Sequence, residues 1–385
     1  MSQKLKKVLI MEASSRQVLP MARGFKELGY EITTVCENKS DLGNITRYRK
    51  HCYMISDIDS DYDKANKAYN RLVKKNNYDL VLPLSDFSAE IAANNKEKWE
   101  KEYNCKVAVN KLDVFNMAYD KLNTMEICMN NDIPCPYTIL TENGEDIDYS
   151  KINYPVVVKP RSACGSIGFH KVDNEKKLKE LLKDESHGPL LVQEFIPQTG
   201  KQYNAHFFMD KNNNVKTAIC AEKCRWFPID GGASTLCRTI DNPYIIEICT
   251  KLLKALGWVG YCDLDLMEDP RDGSIRIIEI NARISANVKI CFSVGANIAK
   301  QMDELYFSED VNKVDGYKND YRLRCIHTDL LWFIKSKNRM KTDPSWFSVK
   351  NTTDQIFSWA DPIPFITFSF ASLGKYKREM KKRER

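Results

Sequence analysis

The sequence of 385 residues lacks the long apolar run that a membrane span requires. No stretch approaches about twenty uninterrupted apolar residues, and the opening MSQKLKKVLIMEASS has too short an apolar core for a secretory signal. Hydrophobic residues make up 43% of the chain and charged residues 29%, a balance typical of globular proteins. We therefore expect a cytoplasmic protein of two or three domains.

The sequence also lacks the spacing of a zinc site or a disulfide framework. Its 13 cysteines are odd in number and scattered, and Cys220 and Cys224 have no second Cys or His pair at zinc-finger spacing. Because the chain is long and shows no export signal, free thiols fit better than disulfides. We predict that most cysteines are small buried apolar residues.

Little net charge remains outside the C-terminal tail. The chain has a net charge of +6, and Lys375 to Arg385 contributes seven basic and two acidic residues to it. A nucleic-acid-binding surface along the chain is therefore not expected. The tail could contact an acidic partner or anionic lipid, although we favour no membrane contact.

Two common nucleotide-binding motifs are absent. The first strand-like segment, KVLIME, runs into EASSRQ without a G-x-G-x-x-G, and no G-x-x-x-x-G-K-[ST] occurs in the chain. Strand-like and helix-like segments nevertheless alternate as far as CKVAVN, which predicts a parallel sheet with helices on its faces. A break follows near Asn110–Asp113.

Two acidic segments have the pattern of a hairpin. GYCDLDLME and SIRIIEINA are strand-like and are separated by the turn sequence DPRDGS. Because side chains alternate along a strand, Glu279, Asn281 and Arg283 share one face, and Asp263 and Asp265 share one face of the partner strand. Clustered carboxylates need a neutralising cation, and their oxygens suit Mg²⁺. A solvated hairpin face is the alternative.

The segment KPRSACGSIG, from Lys159 to Gly168, is a second candidate site. Gly165, Ser166 and Gly168 allow backbone N–H groups to approach an anion, and Lys159 supplies a cation at the end of a strand. These features predict a phosphate-binding loop. An ordinary tight turn is the alternative.

Four segments, taken in order, resemble the ATP-grasp superfamily: YDKLNT before DIPCP, YPVVVKPRSACGSIG, LVQEFIPQTGKQYN, and GYCDLDLM with IIEINARIS. The resemblance is greatest to stand-alone carboxylate–amine ligases of the carbamoyl-phosphate-synthase-large-subunit-like group. It implies an α/β and α+β chain with a parallel α/β domain at residues 1–112, an ATP-grasp fold of two subdomains at 113–320, and a C-terminal extension with a basic tail at 321–385. The implied subdomains are 113–195, on the nucleotide side with a flap, and 196–320, on the metal and substrate side.

The resemblance implies that Lys121 and Lys159 hold the α- and β-phosphates of ATP, a task that suits their charge. The segment Ser162–Gly168, which includes Gly165 and Ser166, would be a flap that closes over the β- and γ-phosphates and excludes water.

The resemblance also implies an adenine and ribose site. The backbone of Gln193 and Ile196 would contact the adenine edge, with Glu194 beside it. Gln202 stands where such proteins normally carry an acid that binds the ribose. An amide can also hydrogen-bond to hydroxyl groups.

Metal ligands and substrate-binding residues follow from the same resemblance. Asp263, Glu279 and Asn281 match ligands of two magnesium ions, which manganese could replace, and Arg283 matches an arginine that stabilises the transferring phosphate. In the segment EKCRWFPIDGGASTLCR, Arg225 and Arg238 could bind the substrate carboxylate, since a guanidinium group fits a carboxylate with two hydrogen bonds.

The function implied is an ATP-dependent carboxylate–amine ligase that forms an acylphosphate and acts on small molecules. Two alternatives stay open: a bicarbonate-activating enzyme of the carbamoyl-phosphate-synthase type, and an ATP-binding regulator without catalysis. A homodimer is compatible with each of these three functions. In the C-terminal extension we expect Phe365, Phe368, Phe370 and Leu373 to pack on the grasp fold.

Overall fold

The computed structural model describes residues 5–139, 147–162, 168–183, 189–229, 232–308 and 310–370. Three sheets organise this part of the chain: a parallel sheet of five strands, an antiparallel sheet of four strands and a larger sheet of seven strands. None of the helices in these ranges is long and apolar enough to cross a membrane. The predicted class, a parallel α/β unit followed by two further α+β units, is confirmed.

The N-terminal unit is a parallel sheet covered by helices. Its strands, in the spatial order β3-β2-β1-β4-β5, are β1 (Lys7–Met11), β2 (Glu31–Cys36), β3 (His51–Met54), β4 (Leu80–Pro83) and β5 (Lys106–Val107). Its helices are α1 (Val18–Glu27), α2 (Leu42–Ile45), α3 (Tyr62–Asn76) and α4 (Asp86–Tyr103). Strands β1 and β4 are buried throughout or nearly so, which explains their continuous apolar sequences.

Two helices connect this unit to the next sheet, namely α5 (Leu112–Tyr119) and α6 (Lys121–Asn130). They are divided at Asp120, whose side chain accepts a hydrogen bond from Leu122 N–H and so caps α6.

The small antiparallel sheet has the strand order β6-β9-β7-β8. Its elements are β6 (Thr138–Ile139), a short 3₁₀ helix (Tyr149–Lys151), β7 (Val156–Pro160), β8 (His170–Val172), α7 (Glu175–Leu182) and β9 (Leu190–Glu194). Val158, Leu178 and Val192 form the centre of its own apolar core.

The large sheet has the order β14-β13-β10-β11-β12-β15-β16. Its strands are β10 (Gln202–Met209), β11 (Val215–Phe227), β12 (Ala233–Ile240), β13 (Gly260–Glu268), β14 (Ile275–Asn281), β15 (Arg322–Arg324) and β16 (Thr352–Asp354). The helices that accompany it are α8 (Pro243–Leu256), α9 (Lys289–Ser293), α10 (Ile298–Phe307) and α11 (Ile326–Lys335).

Contacts cross two of the boundaries proposed from sequence, which stay predictions. Helices α5 and α6 contact α8 and β14 of the large sheet, and α6 also contacts β6 of the small sheet. Strands β15 and β16 extend the large sheet, so the boundary at residue 321 separates strands of one sheet. Strands of three residues are too short to show a periodic pattern, which is why the sequence did not reveal them.

The C-terminal aromatic residues divide into two groups. Residues 363–370 are helical, and Phe365 and Phe368 pack against the apolar core beside His327. The prediction was wrong for Phe370, whose side chain is 75% exposed. Leu373 lies outside the described residues.

Candidate functional site

A cleft of about 430 Å³ lies between the large sheet, the small sheet and the N-terminal unit. Its walls include residues predicted from sequence, namely Lys121, Lys159, Gln202, Asp263, Glu279, Asn281 and Arg283. Other lining residues were not predicted, namely Arg16, Asn204, Lys223 and Asn287. The predicted residues that converge here come from all four motif segments.

The predicted acidic hairpin is confirmed, and its register brings the oxygen-bearing residues together. Strands β13 and β14 are antiparallel, with Asp263 opposite Asn281 and Asp265 opposite Glu279. Gly273 in the connecting turn has a φ of +75°, a conformation that glycine adopts without strain. Since both pairs lie two positions apart along the strands, all four side chains occupy one face of the sheet.

Asp263 is the most buried member of this face, at 3% exposure. Burial, followed by the neighbouring charge of Asp265, raises the pKa of Asp263 well above its ordinary value. Among the described residues its Oδ1 has no hydrogen-bond partner, and Nδ1 of His206 lies 3.6 Å away. An unsatisfied buried carboxylate oxygen beside Asn281 and Glu279 fits a hard divalent cation such as Mg²⁺.

Asp265 and His206 have different surroundings on the same face. Asp265 accepts a hydrogen bond from Nζ of Lys223 at 2.7 Å and another from the amide of Asn204. Its charge is therefore already paired within the protein. Burial lowers the pKa of His206 to about 4, so the ring is neutral at pH 7.

The two predicted phosphate-binding lysines meet in the cleft. Nζ of Lys121 lies 3.3 Å from a carboxylate oxygen of Glu279. Burial lowers the pKa of Lys159 to about 8, and the charge of Glu279 acts against that shift. Both amines thus face the acidic hairpin from the opposite wall.

A pair that the sequence did not reveal connects these two lysines. Arg161 donates to both carboxylate oxygens of Asp120, at 3.0 Å from Nε and 2.7 Å from Nη2. The backbone N–H of Lys121 also donates to Arg161 O at 3.1 Å. The start of α6 is therefore fixed against the end of β7. Asp120 lies one residue before Lys121, and Arg161 lies two residues after Lys159. In the sequence, only the closeness of Asp120 and Arg161 to the two lysines could have indicated this ion pair.

Only the ends of the predicted flap are described. Ser162 is exposed, and Gly168 has a φ of +70°. A Cβ atom on Gly168 would lie 2.9 Å from the ring of Pro160, so this position favours glycine by both backbone conformation and space. Gly165 and Ser166 lie outside the described residues.

Arg283 follows β14 and joins the hairpin to the N-terminal unit. Its Nε lies 3.0 Å from Oδ2 of Asp86, the first residue of α4, and its Nη2 donates to Oδ1 of Asn281 at 3.3 Å. The guanidinium is thus oriented by an acid that lies almost 200 positions away in the sequence. No local pattern could have predicted Asp86 as its partner.

The predicted adenine-side residues lie at the end of β9. Gln193 and Ile196 are buried, and Nε2 of Gln193 donates to Thr138 Oγ1 at 2.9 Å. The Glu194 carboxylate pairs with Arg271 and, at 2.7 Å, with Arg276 of the acidic hairpin. Glu194 therefore joins the small sheet to the large one. Gln202 begins β10 and lines the cleft, as its predicted contact with ribose requires.

The structure does not place Arg225 in the cleft. Its guanidinium is buried and pairs with Asp329 of α11, at 2.8 Å from Nε to Oδ1 and 3.0 Å from Nη2 to Oδ2. It also donates to the carbonyl of Pro344 at 2.7 Å. The prediction that Arg225 binds the substrate carboxylate is therefore corrected: this side chain holds the C-terminal extension to the large sheet.

The structure also places Arg238 on the wrong face for substrate. Arg238 lies opposite Glu222 in the strand register, Glu222 lies opposite Tyr203, and Tyr203 lies opposite Leu266. Since Leu266 alternates with Asp265, Arg238 points away from the acidic face, where it pairs with Glu222 and Asp343.

The basic residue of this segment that does line the cleft is Lys223. A bulge separates it from Arg225, because Lys223 lies opposite Cys237 and Arg225 lies opposite Leu236, with Cys224 unpaired between them. A bulge reverses the alternation of side chains. For this reason Arg225 does not share the face of Lys223, although the two residues are two positions apart.

The buried pair between Arg225 and Asp329 predicts a large effect on stability. Asp329 is fully buried, and it also accepts a hydrogen bond from Nε of Arg324 at 2.6 Å. The change Asp329→Asn would leave two buried guanidinium charges with no counter-charge from this side chain. We expect the free energy of unfolding to fall by about 3–5 kcal/mol in urea titrations.

The matched control is Asp315→Asn, which removes the acid of the exposed pair with Lys313. Its free energy of unfolding should change by less than about 1 kcal/mol. Equal stability of the two variants would contradict the structural role of Asp329.

Comparisons with known proteins agree with this architecture. A family model described as an ATP-grasp domain matches residues 118–287. The chain is 22% identical over 324 residues to a D-aspartate ligase of Enterococcus faecium, with 77% of this chain and 75% of the relative covered. It is 23% identical over 320 residues to a carbamoyl phosphate synthase large chain of Saccharolobus solfataricus, with 76% of this chain covered but only 29% of that relative's length.

A solved structure of similar fold is biotin carboxylase from Campylobacter jejuni in complex with a nucleotide. The TM-score is 0.69 at 18% sequence identity, and the alignment covers 83% of this chain and 74% of the other. The matched residues 118–287 include Lys121, Lys159 and the whole acidic hairpin. The comparisons therefore relate residues 118–287 of this chain to the ATP-grasp domain family.

Proposed function

We propose that this protein is an ATP-dependent carboxylate–amine ligase. The observation that carries the proposal is the meeting, in one cleft, of Lys121 and Lys159 with the acidic face of Asp263, Glu279 and Asn281. Two amines opposite a set of carboxylate and amide oxygens suit a nucleotide triphosphate with its metal ions. The similarity to a D-aspartate ligase over most of both chains supports the choice of an amide-forming reaction.

Different residues of the chain would contact different parts of ATP. Lys121 and Lys159 would neutralise the α- and β-phosphates, and Gln202 would hydrogen-bond to the ribose hydroxyls. The backbone of Gln193 and Ile196, at the junction of the two sheets, would contact the adenine. The segment between Ser162 and Gly168 would cover the terminal phosphates.

Asp263, Glu279 and Asn281 would hold the magnesium. Bound there, divalent cations would supply positive charge to offset that of the β- and γ-phosphates. Arg283, held by Asp86, would stabilise the negative charge on the oxygens of the transferring phosphoryl group.

The reaction then follows in two steps. A substrate carboxylate oxygen attacks the γ-phosphorus and ADP leaves, which gives an acylphosphate. The amine attacks the acyl carbon and phosphate leaves, which gives the amide. Catalysis in such a site is positioning and neutralisation of charge by the groups named above, without a nucleophilic residue of the protein.

A bicarbonate-activating enzyme is a second candidate, favoured by the similarity to a carbamoyl phosphate synthase large chain. The two candidates differ in their requirement for an organic acid. The deciding experiment incubates the protein with ATP and Mg²⁺ against crossed panels of carboxylates and amines, follows phosphate release and measures product mass. Amide products support the ligase, and turnover that depends on bicarbonate alone supports the alternative. Nucleotide binding without turnover under any of these conditions would contradict both.

The pKa of Lys159 predicts a pH dependence of nucleotide binding. Burial lowers that pKa to about 8, so the amine of the free protein is charged below pH 8 and neutral above it. Phosphates favour the charged form, so binding above pH 8 must take up a proton. We therefore expect the Kd for ADP to rise as the pH increases from 8 to about 9.5.

Calorimetry in two buffers of different ionisation enthalpy measures that proton uptake directly. The variant Lys159→Met should bind ADP more weakly at pH 7 and show no uptake assigned to this group. A wild-type affinity that stays constant from pH 7 to about 9.5 would contradict the assignment of Lys159 to the phosphates.

A further inference from the structure

The exposed apolar side chains of this protein are concentrated near its C-terminal end. Nine of the 17 large apolar side chains that are exposed in the described part of the chain lie between residues 330 and 370, a segment of 41 residues in 385. They are Leu330, Ile334, Met340, Phe347, Val349, Trp359, Ile363, Ile366 and Phe370. Where such side chains form one connected surface, that surface is typical of contact with a protein or a membrane.

Residues 363–370 form a short helix, α12, that has apolar side chains on two opposite sides. On one side, Phe365 and Phe368 contact the ring of His327 on α11, at 4.8 and 5.1 Å between ring centroids. The opposite side carries three residues at the spacing i, i+3, i+7, each more than half exposed, namely Ile363, Ile366 and Phe370. The protein therefore covers only the inner side of a helix that is apolar on both.

Helix α11 contributes a second apolar stripe beside α12. His327, Leu330 and Ile334 follow the same spacing and so share one side of α11. Because α12 lies over His327, its outer side points in the direction that Leu330 and Ile334 face. Phe333, next to Leu330 on the helix surface, packs against the exposed Phe347 at 5.8 Å between ring centroids. These contacts connect one surface, the C-terminal apolar patch, which consists of Leu330, Ile334, Phe347, Ile363, Ile366 and Phe370.

Trp359 lies at the edge of this patch. Its side chain is 89% exposed, although tryptophan is among the most apolar of large residues. Its ring contacts Phe357 at 4.9 Å, and Phe357 contacts Phe365 of α12 at 5.4 Å between ring centroids. Tryptophan combines an apolar ring with one polar N–H and is enriched where apolar surroundings meet water, as at the surface of a membrane.

Contacts with the N-terminal unit hold α12 in this position. The carboxylate of Asp361, just before α12, accepts hydrogen bonds from Oγ1 of Thr46 at 2.6 Å and from the N–H of Arg47 at 3.3 Å. Nη1 of Arg47 also donates to Ala360 O at 3.0 Å. The exposed side of α12 is therefore held in place by hydrogen bonds to another unit of the fold.

The charges that accompany the patch are almost all positive. Within the fully described range 330–370, the one exposed acid is Asp343, which pairs with Arg238. The exposed basic residues of that range are Lys335, Lys337, Arg339, Lys341 and Lys350. Further along the sequence, Lys375 to Arg385 adds seven basic and two acidic residues. An excess of one charge disfavours contact with a second copy of the same surface and favours an anionic partner.

We propose that the C-terminal apolar patch binds this protein to the surface of a membrane that contains anionic lipids. The outer side chains of α12 would enter the boundary between headgroups and acyl chains, Trp359 would lie at the interface, and the basic residues would contact lipid phosphates. The sequence alone favoured no membrane contact, because the C-terminal aromatic residues were expected to pack inward. The exposed outer side of α12 reverses that preference. The proposal does not depend on the ligase function.

Binding to lipid vesicles tests this proposal. The whole chain is mixed with vesicles of phosphatidylcholine, or with vesicles in which about 30% of the lipid is phosphatidylglycerol, and bound protein is measured by flotation. We expect the partition coefficient to be at least about 10-fold higher for the anionic vesicles. It should fall as NaCl is raised from about 0.05 to about 0.5 M, because salt screens the attraction between basic residues and lipid.

The variant Ile366→Glu places a negative charge on the outer side of α12. Its partition into the anionic vesicles should be about 10- to 100-fold weaker, since it loses the burial of an apolar side chain and adds repulsion. The matched control is Tyr244→Glu, because Tyr244 is an exposed aromatic residue of α8 outside the patch. This control should bind as the wild type does. Equal melting temperatures without vesicles verify that both variants are folded.

The remaining outcomes would overturn the proposal. These are no binding to either vesicle, equal binding to the neutral and the anionic vesicles, and binding that Ile366→Glu leaves unchanged. Sedimentation velocity without lipid tests the rival occupant. A wild-type dimer that becomes monomeric in Ile366→Glu, together with no binding to vesicles, would assign the patch to a second copy of this chain instead.

Discussion

Replacement of Glu279 by glutamine should lower kcat by at least about 1,000-fold, because neutralisation of the phosphates by metal ions is worth several kcal/mol at the transition state. Glu279 lies opposite Asp265 in the hairpin and 3.3 Å from Nζ of Lys121. The change Glu279→Gln keeps the shape of the side chain and removes its charge. Steady-state phosphate release with the best acid–amine pair measures the effect.

A second measurement tests the role of Glu279 as a metal ligand without relying on turnover. Mg²⁺ should increase the stabilisation of the wild type by AMP-PNP in thermal unfolding, and this increase should be lost in Glu279→Gln. The matched control is Glu268→Gln, at the end of β13, where Glu268 accepts a hydrogen bond from Tyr203 and does not line the cleft. Wild-type turnover in Glu279→Gln would refute the assignment of the metal ligands.

The second large effect is expected at Arg283. Arg283→Met should lower kcat by about 100- to 1,000-fold, the usual cost of removing a donor that stabilises charge in the transition state. The KM for ATP should change little, because the lysines and Gln202 make the ground-state contacts. Arg283→Lys should recover only part of the loss, since an ammonium group cannot pair with Asp86 and a phosphoryl oxygen in the geometry of the guanidinium.

The control for charge alone is Arg71→Met on α3, which is exposed in the N-terminal unit and should keep wild-type kcat. Single-turnover kinetics distinguish loss of the chemical step from slow product release. A fall in kcat no larger for Arg283→Met than for Arg71→Met would mean that Arg283 only joins the hairpin to α4.

The success of the sequence-based predictions depended on how local each pattern was. The hairpin could be predicted because two alternating strands and an Asp-Gly turn lie within about twenty residues of each other. The apolar strand before Lys159 was equally local. For the acidic residues, strand alternation alone predicted which side chains share a face, and the register of β13 and β14 agrees with it.

The failures came from features that no local pattern records. Arg225 and Lys223 are two positions apart, but the bulge at Cys224 makes their side chains point to opposite faces of the sheet. Arg238 has the expected chemistry but lies on the opposite face of the sheet. Arg16 was overlooked because its loop showed no motif, and it reaches the cleft only through the packing of the N-terminal unit on the large sheet.

The sequence by itself determined the order of the elements, the hairpin with its shared acidic face, and the lysines at the start of α6 and the end of β7. Tertiary structure alone decided which arginines line the cleft, which acid orients Arg283, and that β15 and β16 extend the large sheet. The physical reason is that alternation along a strand acts over neighbouring residues. Bulges, strand order and the docking of one unit on another are set by contacts between residues far apart in the chain.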